Sequence, residues 1–287
     1  MSGSTGAPRI ESRNEYESFV NSYSNFINDF ENLVSITSVG SYKSNTSKES
    51  FGDIDLIVQV DNNSSKKQIK QKFISYIINK PKDTILPFIS EKYQGKRYLQ
   101  PGELVSIHYF DKNILKSCQI DNIFSLSSEE TNFKQNFLNM TADKQGLLSG
   151  LIKSATNEEH YSSIIKRLEI SVPNINEDTQ EYDFSISSSS IELRLISNSE
   201  NHMTHNTVWK SQNWKDVEKI LEKYNLSWEF NDLISYCSIN IKNERSKKRI
   251  KGIFNSLVTV KSGEINTEKG FSKLESIKKV NDIFNYE

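Results

Sequence analysis

The sequence predicts an α+β chain: a small mixed sheet flanked by helices in residues 1–126, followed by a mainly helical region in residues 127–287. Three observations carry that expectation. Short β-branched runs alternate with amphipathic helical stretches as far as Leu126. Polar, turn-forming segments separate the two kinds of run. Beyond Leu126 the apolar residues recur mostly at helical spacing, and a second domain is expected to begin there.

The elements follow in order. Residues 1–13 read as a flexible or surface-docked lead-in. A helix opens at Asn14 or Ser12, with Glu17 or Glu15 three positions on as in a capping box. Tyr16, Phe19, Val20, Tyr23, Phe26, Ile27, Phe30 and Leu33 give it one apolar stripe. A strand over 34–39 runs into Gly40-Ser41, a polar turn-like stretch covers 42–50, and Phe51-Gly52 closes it. The next strand, 53–60, puts Ile54, Leu56, Val58 and Val60 on one face. A second helix spans about 65–79, with further strands at 84–90, 103–110 and 118–124. Later segments read as helix over 129–168, a hairpin over 182–197 turning at Ser187 to Ser190, and helices over 212–258 and 272–284.

Composition limits the function. Hydrophobic residues make up 35% of the 287 and charged residues 25%, as in a soluble globular protein. No apolar run approaches the roughly 20 residues a membrane helix needs, and the first residues carry neither the basic segment nor the apolar core of a secretory signal. Two cysteines, Cys118 and Cys237, make no disulfide framework, so a reducing, cytoplasmic setting is expected. The net charge of -1 supplies no global field for nucleic acid. Lysine far outnumbers arginine, the usage an AT-rich genome imposes, and this lowers the weight of any lysine cluster.

The chemistry concentrates in two places. Asp53 and Asp55 stand two apart on a strand and project from the same face, while Ile54 and Leu56 point to the packed one. Adjacent carboxylates on a rigid element repel each other unless a cation lies between them, and Mg²⁺ suits such oxygen donors. Upstream, Gly40 permits a tight turn and a close backbone approach. The Ser41 hydroxyl and the N–H groups of that turn are suited to triphosphate oxygens.

Val39-Gly40-Ser41, eleven intervening residues, then Asp53-Ile54-Asp55-Leu56 resembles the signature of the DNA polymerase beta-like nucleotidyltransferase superfamily, over roughly residues 14–126. The resemblance implies transfer of a nucleoside monophosphate from a nucleoside triphosphate, assisted by two Mg²⁺ (or Mn²⁺) ions. It implies a third carboxylate on a later strand, for which Asp121 fits best, being a lone acid within an apolar strand. Asp111 and Glu103 compete for that role from turn-like contexts. Asp53, Asp55 and Asp121 are then the catalytic and metal-binding residues, with Gly40 and Ser41 on the nucleotide.

Lys96 and Arg97, between Tyr93 and Tyr98, are further candidates for the phosphates, as are Lys43 and Lys48 inside the loop. The acceptor is expected to be an RNA or tRNA 3′ end, contacted by Lys242, Arg245, Lys248, Arg249 and Lys251 on a basic helix face. A solvated helix face explains the same residues. Nucleotidylation of a small molecule or a protein, or a non-catalytic nucleotide-binding or assembly module, would use the same first domain. His202 and His205 lack a third ligand nearby and are not read as a metal site.

Overall fold

A computed structural model describes residues 5–140 apart from 45, 62 and 63, then residues 161–169, 181–199 and 202–223, with scattered positions between 145 and 171 and between 244 and 248. The architecture is α+β. The chain divides into two compact units at Thr141/Ala142, and each is described by itself.

The first unit is built on a six-stranded mixed sheet. Its strands are β1 (Leu33–Val39), β2 (Ile54–Val60), β3 (Ile85–Leu86), β4 (Tyr98–Leu99), β5 (Leu104–Asp111) and β6 (Lys116–Ser125), in the spatial order β1-β2-β6-β5-β3, with β4 also on β5. All pairings are antiparallel except β2 with β6. Helix α1 (Arg13–Phe26) starts at Ser12, whose hydroxyl accepts from the Glu15 N–H at 3.2 Å. Glu15 turns to the Glu11 N–H at 2.7 Å, so the cap lacks the reciprocal half of a capping box. The expected helical stripe continues to Leu33, but the helix ends at Phe26, and Ile27 and Phe30 pack from the turn that follows. The stretch expected as a plain turn after Gly40 begins with one helical turn, α2 (Ser41–Ser44). Helix α3 (Lys66–Ile78) carries a complete capping box between Ser65 and Gln68.

Strand periodicity divides the sheet into two unlike faces. Ile54, Leu56, Val58, Val60, Val105, Ile107, Ile120 and Phe124 point to one side and form the core with Tyr16, Phe19, Tyr23, Ile69, Phe73 and Ile77 of α1 and α3. Full burial of each large apolar side chain is worth about 1.5–3 kcal/mol, and this face holds the unit together. The opposite face has only a small apolar patch of Val39, Ile57 and Ile123 with Leu104 and Leu138. Around Asp55 and Asp121 it is polar, with Ser106, Gln119 and His108 beside them.

Helix α4 (Ser128–Leu138) explains why the first unit runs past residue 126. Phe133 and Phe137 are buried, and Lys134 is fully buried between Glu130 at 3.4 Å and Glu103 at 3.3 Å, while Lys66 at the start of α3 also pairs with Glu130. A buried ammonium is tolerable only with such partners, and the network ties α3, α4 and the start of β5 together.

In the second unit, β7 (Glu181–Ile186) and β8 (Ile191–Ser199) form the expected hairpin, with the Ser187 N–H closing the turn on the Ser190 carbonyl at 2.9 Å. A third strand, β9 (His202–Ser211), extends it, where the sequence reading has none. Asp183 is buried there between Lys153 and a bidentate Arg194 (3.0 and 3.2 Å). Burial pushes its carboxyl up, but those two cations hold it below the ordinary carboxylate range. Helices α5 (Tyr161–Arg167) and α6 (Trp214–Lys223) accompany the sheet, and Trp214, Val217 and Ile220 are buried. The remainder of the helix expected over 212–258 and the helix expected over 272–284 lie outside the described residues, apart from 244, 247 and 248. No helix among the described residues is long and apolar enough to cross a membrane.

Candidate active site

The polar face of the first sheet is where the candidate carboxylates meet. Asp55 is the second residue of β2, and the parallel pairing sets it directly beside Asp121 of β6. Ser106 of β5 faces Asp121 from the other side, so one row of the sheet reads Asp55, Asp121, Ser106 across three strands. Asp53 stands just before β2, on the same side as Asp55 by strand alternation. The next row holds Gln119 and His108.

The strand order causes this encounter. β1 and β2 are a local antiparallel pair, whereas β6 arrives from much later in the chain and inserts beside β2. Nothing local in the sequence around Asp55 announces that Asp121 will stand next to it.

Gly40 is fixed by two constraints at once. Its φ is +76°, in the left-handed region where a Cβ is disfavoured. A Cβ there would also lie 2.2 Å from Asp55 Oδ2, so the carboxylate occupies the space that the missing side chain leaves. The turn thus packs its backbone against the acid, and Ser41 begins α2 beside it. The Gly40 carbonyl accepts from the N–H groups of Lys43 (3.1 Å) and Ser44 (3.0 Å). The loop then folds back so that Lys48 Nζ donates to Ser41 Oγ at 2.9 Å. Arg13 holds the loop from α1, donating to the carbonyls of Lys48 (3.3 Å) and Tyr42 (3.0 Å) with its guanidinium 4.1 Å above the Tyr42 ring.

Charge accumulates in this corner. Burial, then the negative charges of Asp53 and Asp121, push the Asp55 carboxyl up to about 8, against the opposing pull of Lys48. Asp121 is also raised, chiefly by burial, although hydrogen bonds from Gln119 Nε2 (2.9 Å) and Ser106 favour its ionised form. The Tyr16 hydroxyl, buried in the core, is held protonated first by burial and then by Asp55 and Asp53. Too many acids share too little compensating charge, which is the condition a bound cation relieves.

Among the described residues, no group of three or more His, Cys, Asp and Glu side chains is arranged to hold a metal ion as it stands. The donor set nonetheless suits one ion in particular. Mg²⁺ keeps several waters and takes one or two carboxylates together with substrate phosphates, so an incomplete protein shell of aspartates is its ordinary form of site.

The other sequence candidates are placed as follows. Lys48 is at the Gly-Ser turn, whereas Arg97 is turned toward the carbonyls of Ile85 (3.4 Å) and Ile78 (3.2 Å), at the end of α3. Lys96 is exposed, and its backbone closes the loop on Phe88 and Tyr93. Asp111 caps a turn by accepting from the Asn113 N–H at 2.8 Å, and Glu103 pairs with Lys134 and Lys66, so both competitors of Asp121 have structural partners. Of the basic stretch, Lys242, Arg245, Arg249 and Lys251 lie outside the described residues. Lys248 is exposed, and the neighbouring Lys247 pairs with Glu244 at 2.7 Å. Gln119, Ser106 and Tyr16 were not singled out by sequence. The signal for Gln119 was its place two residues before Asp121 on one strand; Ser106 and Tyr16 have none short of the fold.

Compared with known families and with curated proteins, the chain matches no family model and no curated relative.

Proposed function

We propose that this chain is a metal-dependent nucleotidyltransferase, transferring a nucleoside monophosphate from a nucleoside triphosphate to an acceptor hydroxyl with release of pyrophosphate. One observation carries the reading: the Gly40 turn packs on Asp55 in the strand that pairs, in parallel register, with the strand bearing Asp121. The motif read along the chain and the cluster read across the sheet coincide.

In this proposal Asp53 and Asp55 hold Mg²⁺, and Asp121 joins them. When bound, the ions would activate the acceptor hydroxyl and neutralise charge on the transferred and leaving phosphates. The chain's own residues bind and orient. Ser41 Oγ, freed from Lys48, donates to a triphosphate oxygen, and Lys48 Nζ supplies a positive charge from the same corner. Gly40 lets the turn approach without a side chain intervening. Asp121, one of whose oxygens is held by Gln119 Nε2 at 2.9 Å, would in its ionised form take the proton of the acceptor hydroxyl. Lys96, exposed on its loop, is a further phosphate contact in this reading. Arg97, engaged on backbone carbonyls, contributes by fixing that loop.

For the acceptor we propose an RNA or tRNA 3′ end, on the strength of the basic residues between 242 and 251. The test is incubation with each labelled triphosphate, Mg²⁺ and a total RNA pool, with sizing of the products. Labelled RNA longer by discrete nucleotides is expected. Pyrophosphate release with label on a small molecule or on protein would replace the acceptor, and no release with any acceptor would overturn the enzyme reading. If RNA is the acceptor, reversing Lys242, Arg245 and Lys248 to Glu flattens the salt dependence of RNA binding by roughly 0.7 per lost contact.

A further inference from the structure

Residues 5–11, before α1, are attached to the first unit rather than loose. Thr5 is buried, and its Oγ1–H donates to Gln119 Oε1 at 2.6 Å, while its carbonyl accepts from the Ser90 N–H at 3.2 Å. Gly6 follows with φ +80°, where a Cβ would meet Ile89 Cγ1 at 2.7 Å and Ser90 N at 3.0 Å. Five residues after Thr5, Ile10 makes a two-bond antiparallel bridge with Phe51 (2.9 and 2.8 Å), and Arg9 donates to Ser50 Oγ at 3.0 Å and the Ser50 carbonyl at 3.2 Å. One short segment is therefore attached at two places: beside Gln119, two residues from Asp121, and at Phe51, two residues from Asp53.

We propose that residues 5–11 are a positioning strap for the candidate active site, acting on the Asp121 carboxylate through Gln119. The inference rests on the nucleotidyltransferase reading of Asp53, Asp55 and Asp121. The Gln119 carboxamide links the strap to the acid. Gln119 donates from Nε2 to Asp121 Oδ1 at 2.9 Å. Rotated by half a turn, the same group would present Oε1 to the carboxylate and repel it. The carboxylate selects the amide orientation, and the Thr5 hydroxyl, donating to Oε1 from the other side, braces the amide in it and so steadies one oxygen of Asp121. At its other attachment the strap tethers the loop that delivers Asp53. Docking of the strap and shaping of the acidic site are thereby one event, and Thr5 and Gln119 are positioning residues.

The experiment compares full-length wild type with Thr5→Val, Thr5→Ser, Gly6→Ala and Asp55→Asn. Mn²⁺ uptake is followed by the paramagnetic resonance of the free ion, and strap docking by hydrogen exchange at the Ser90 N–H. Thr5→Val keeps the shape of the side chain but cannot donate and leaves the buried Gln119 Oε1 without that partner, so Mn²⁺ affinity should fall about three- to tenfold with a modest loss of melting temperature, while the Ser90 protection stays near wild type. Thr5→Ser should restore the affinity, which a purely structural role for the residue would not require. Gly6→Ala should lift the strap, giving faster exchange at Ser90 together with weaker Mn²⁺ binding. Wild-type Mn²⁺ affinity in both Thr5→Val and Gly6→Ala, with uptake still lost in Asp55→Asn, would overturn the strap and leave the active-site reading standing. Absence of Mn²⁺ uptake by the wild type would overturn the active-site reading and the strap with it.

Discussion

Replacing Asp55 with Asn should make the metal-free protein more stable, and the gain should grow with pH. The carboxyl has its ordinary value near 3.8 in the unfolded chain and is pushed up to about 8 in the fold by burial and by Asp53 and Asp121. Between those values the native state binds more protons than the unfolded one, so wild-type stability falls as pH rises. At pH 7 the penalty has an upper bound of about 4 kcal/mol, at 1.36 kcal/mol for each tenfold change in protonation. Local relaxation reduces it, and we expect Asp55→Asn to return ~1–2 kcal/mol. The assay is urea unfolding of both proteins in chelator at pH 4, 5.5, 7 and 8.5. The stability difference should be near zero at pH 4, rise through the middle values and level off above 8. Millimolar Mg²⁺ or Mn²⁺ should narrow it by stabilising the wild type alone. Equal stabilities with parallel pH profiles would refute the view that carboxylate crowding shapes this corner.

Further outcomes follow from the same geometry. Gly40→Ala should destabilise the protein by about 2–4 kcal/mol, because left-handed backbone and overlap with Asp55 act together; thermal melts would show it, and an unchanged melting temperature would refute the packing. Ser41→Ala should weaken triphosphate binding about 10- to 100-fold, through a hydrogen bond to a charged group worth roughly 1.5–3 kcal/mol; titration calorimetry with each triphosphate measures it. His108 is buried with Nδ1 3.3 Å from the Pro87 carbonyl, which can only accept, so that nitrogen carries the hydrogen and Nε2 receives the Ser117 hydroxyl at 3.0 Å. Burial holds this imidazole below the ordinary histidine value, so the unfolded chain binds the extra proton first and stability drops as pH falls through about 6.5. In His108→Asn that part of the acid limb should flatten, as unfolding between pH 7.5 and 5 would reveal.

Local periodicity made much of the first sheet legible. Strand β2 could be read from Ile54, Leu56, Val58 and Val60, and the helices from their stripes, because each pattern is satisfied within one element. The Gly40-Ser41 and Asp53-Asp55 spacing could be read for the same reason. What the sequence did not hold was adjacency. The neighbour of Asp55 depends on which strand inserts beside β2, a decision made by the whole sheet. Likewise, Lys48 looked like one lysine among many until the loop folded it onto Ser41. Residues 5–11 lacked periodicity because the segment is held by single hydrogen bonds and one bridge, which leave no repeating trace. The boundary expected at 126 ignored α4, whose polar-looking Glu130 and Lys134 are buried as a pair.

The parallel pairing of β2 with β6 also has a consequence for the order in which the chain folds. The antiparallel β1–β2 pair closes over the local 40–53 connection, and its acids, Asp53 and Asp55, then stand in open water where their repulsion is slight. Asp121 joins only after the intervening helix and strands have emerged and β6 has found its slot, a long-range closure of the slow kind. A ribosome-bound chain reaching only residue 110 thus carries the recognisable motif but not the cluster. The conflict among the carboxylates enters with the final strand, when the hydrophobic face of the sheet is ready to bear it. Chemistry at this corner would serve as a report that the fold is complete.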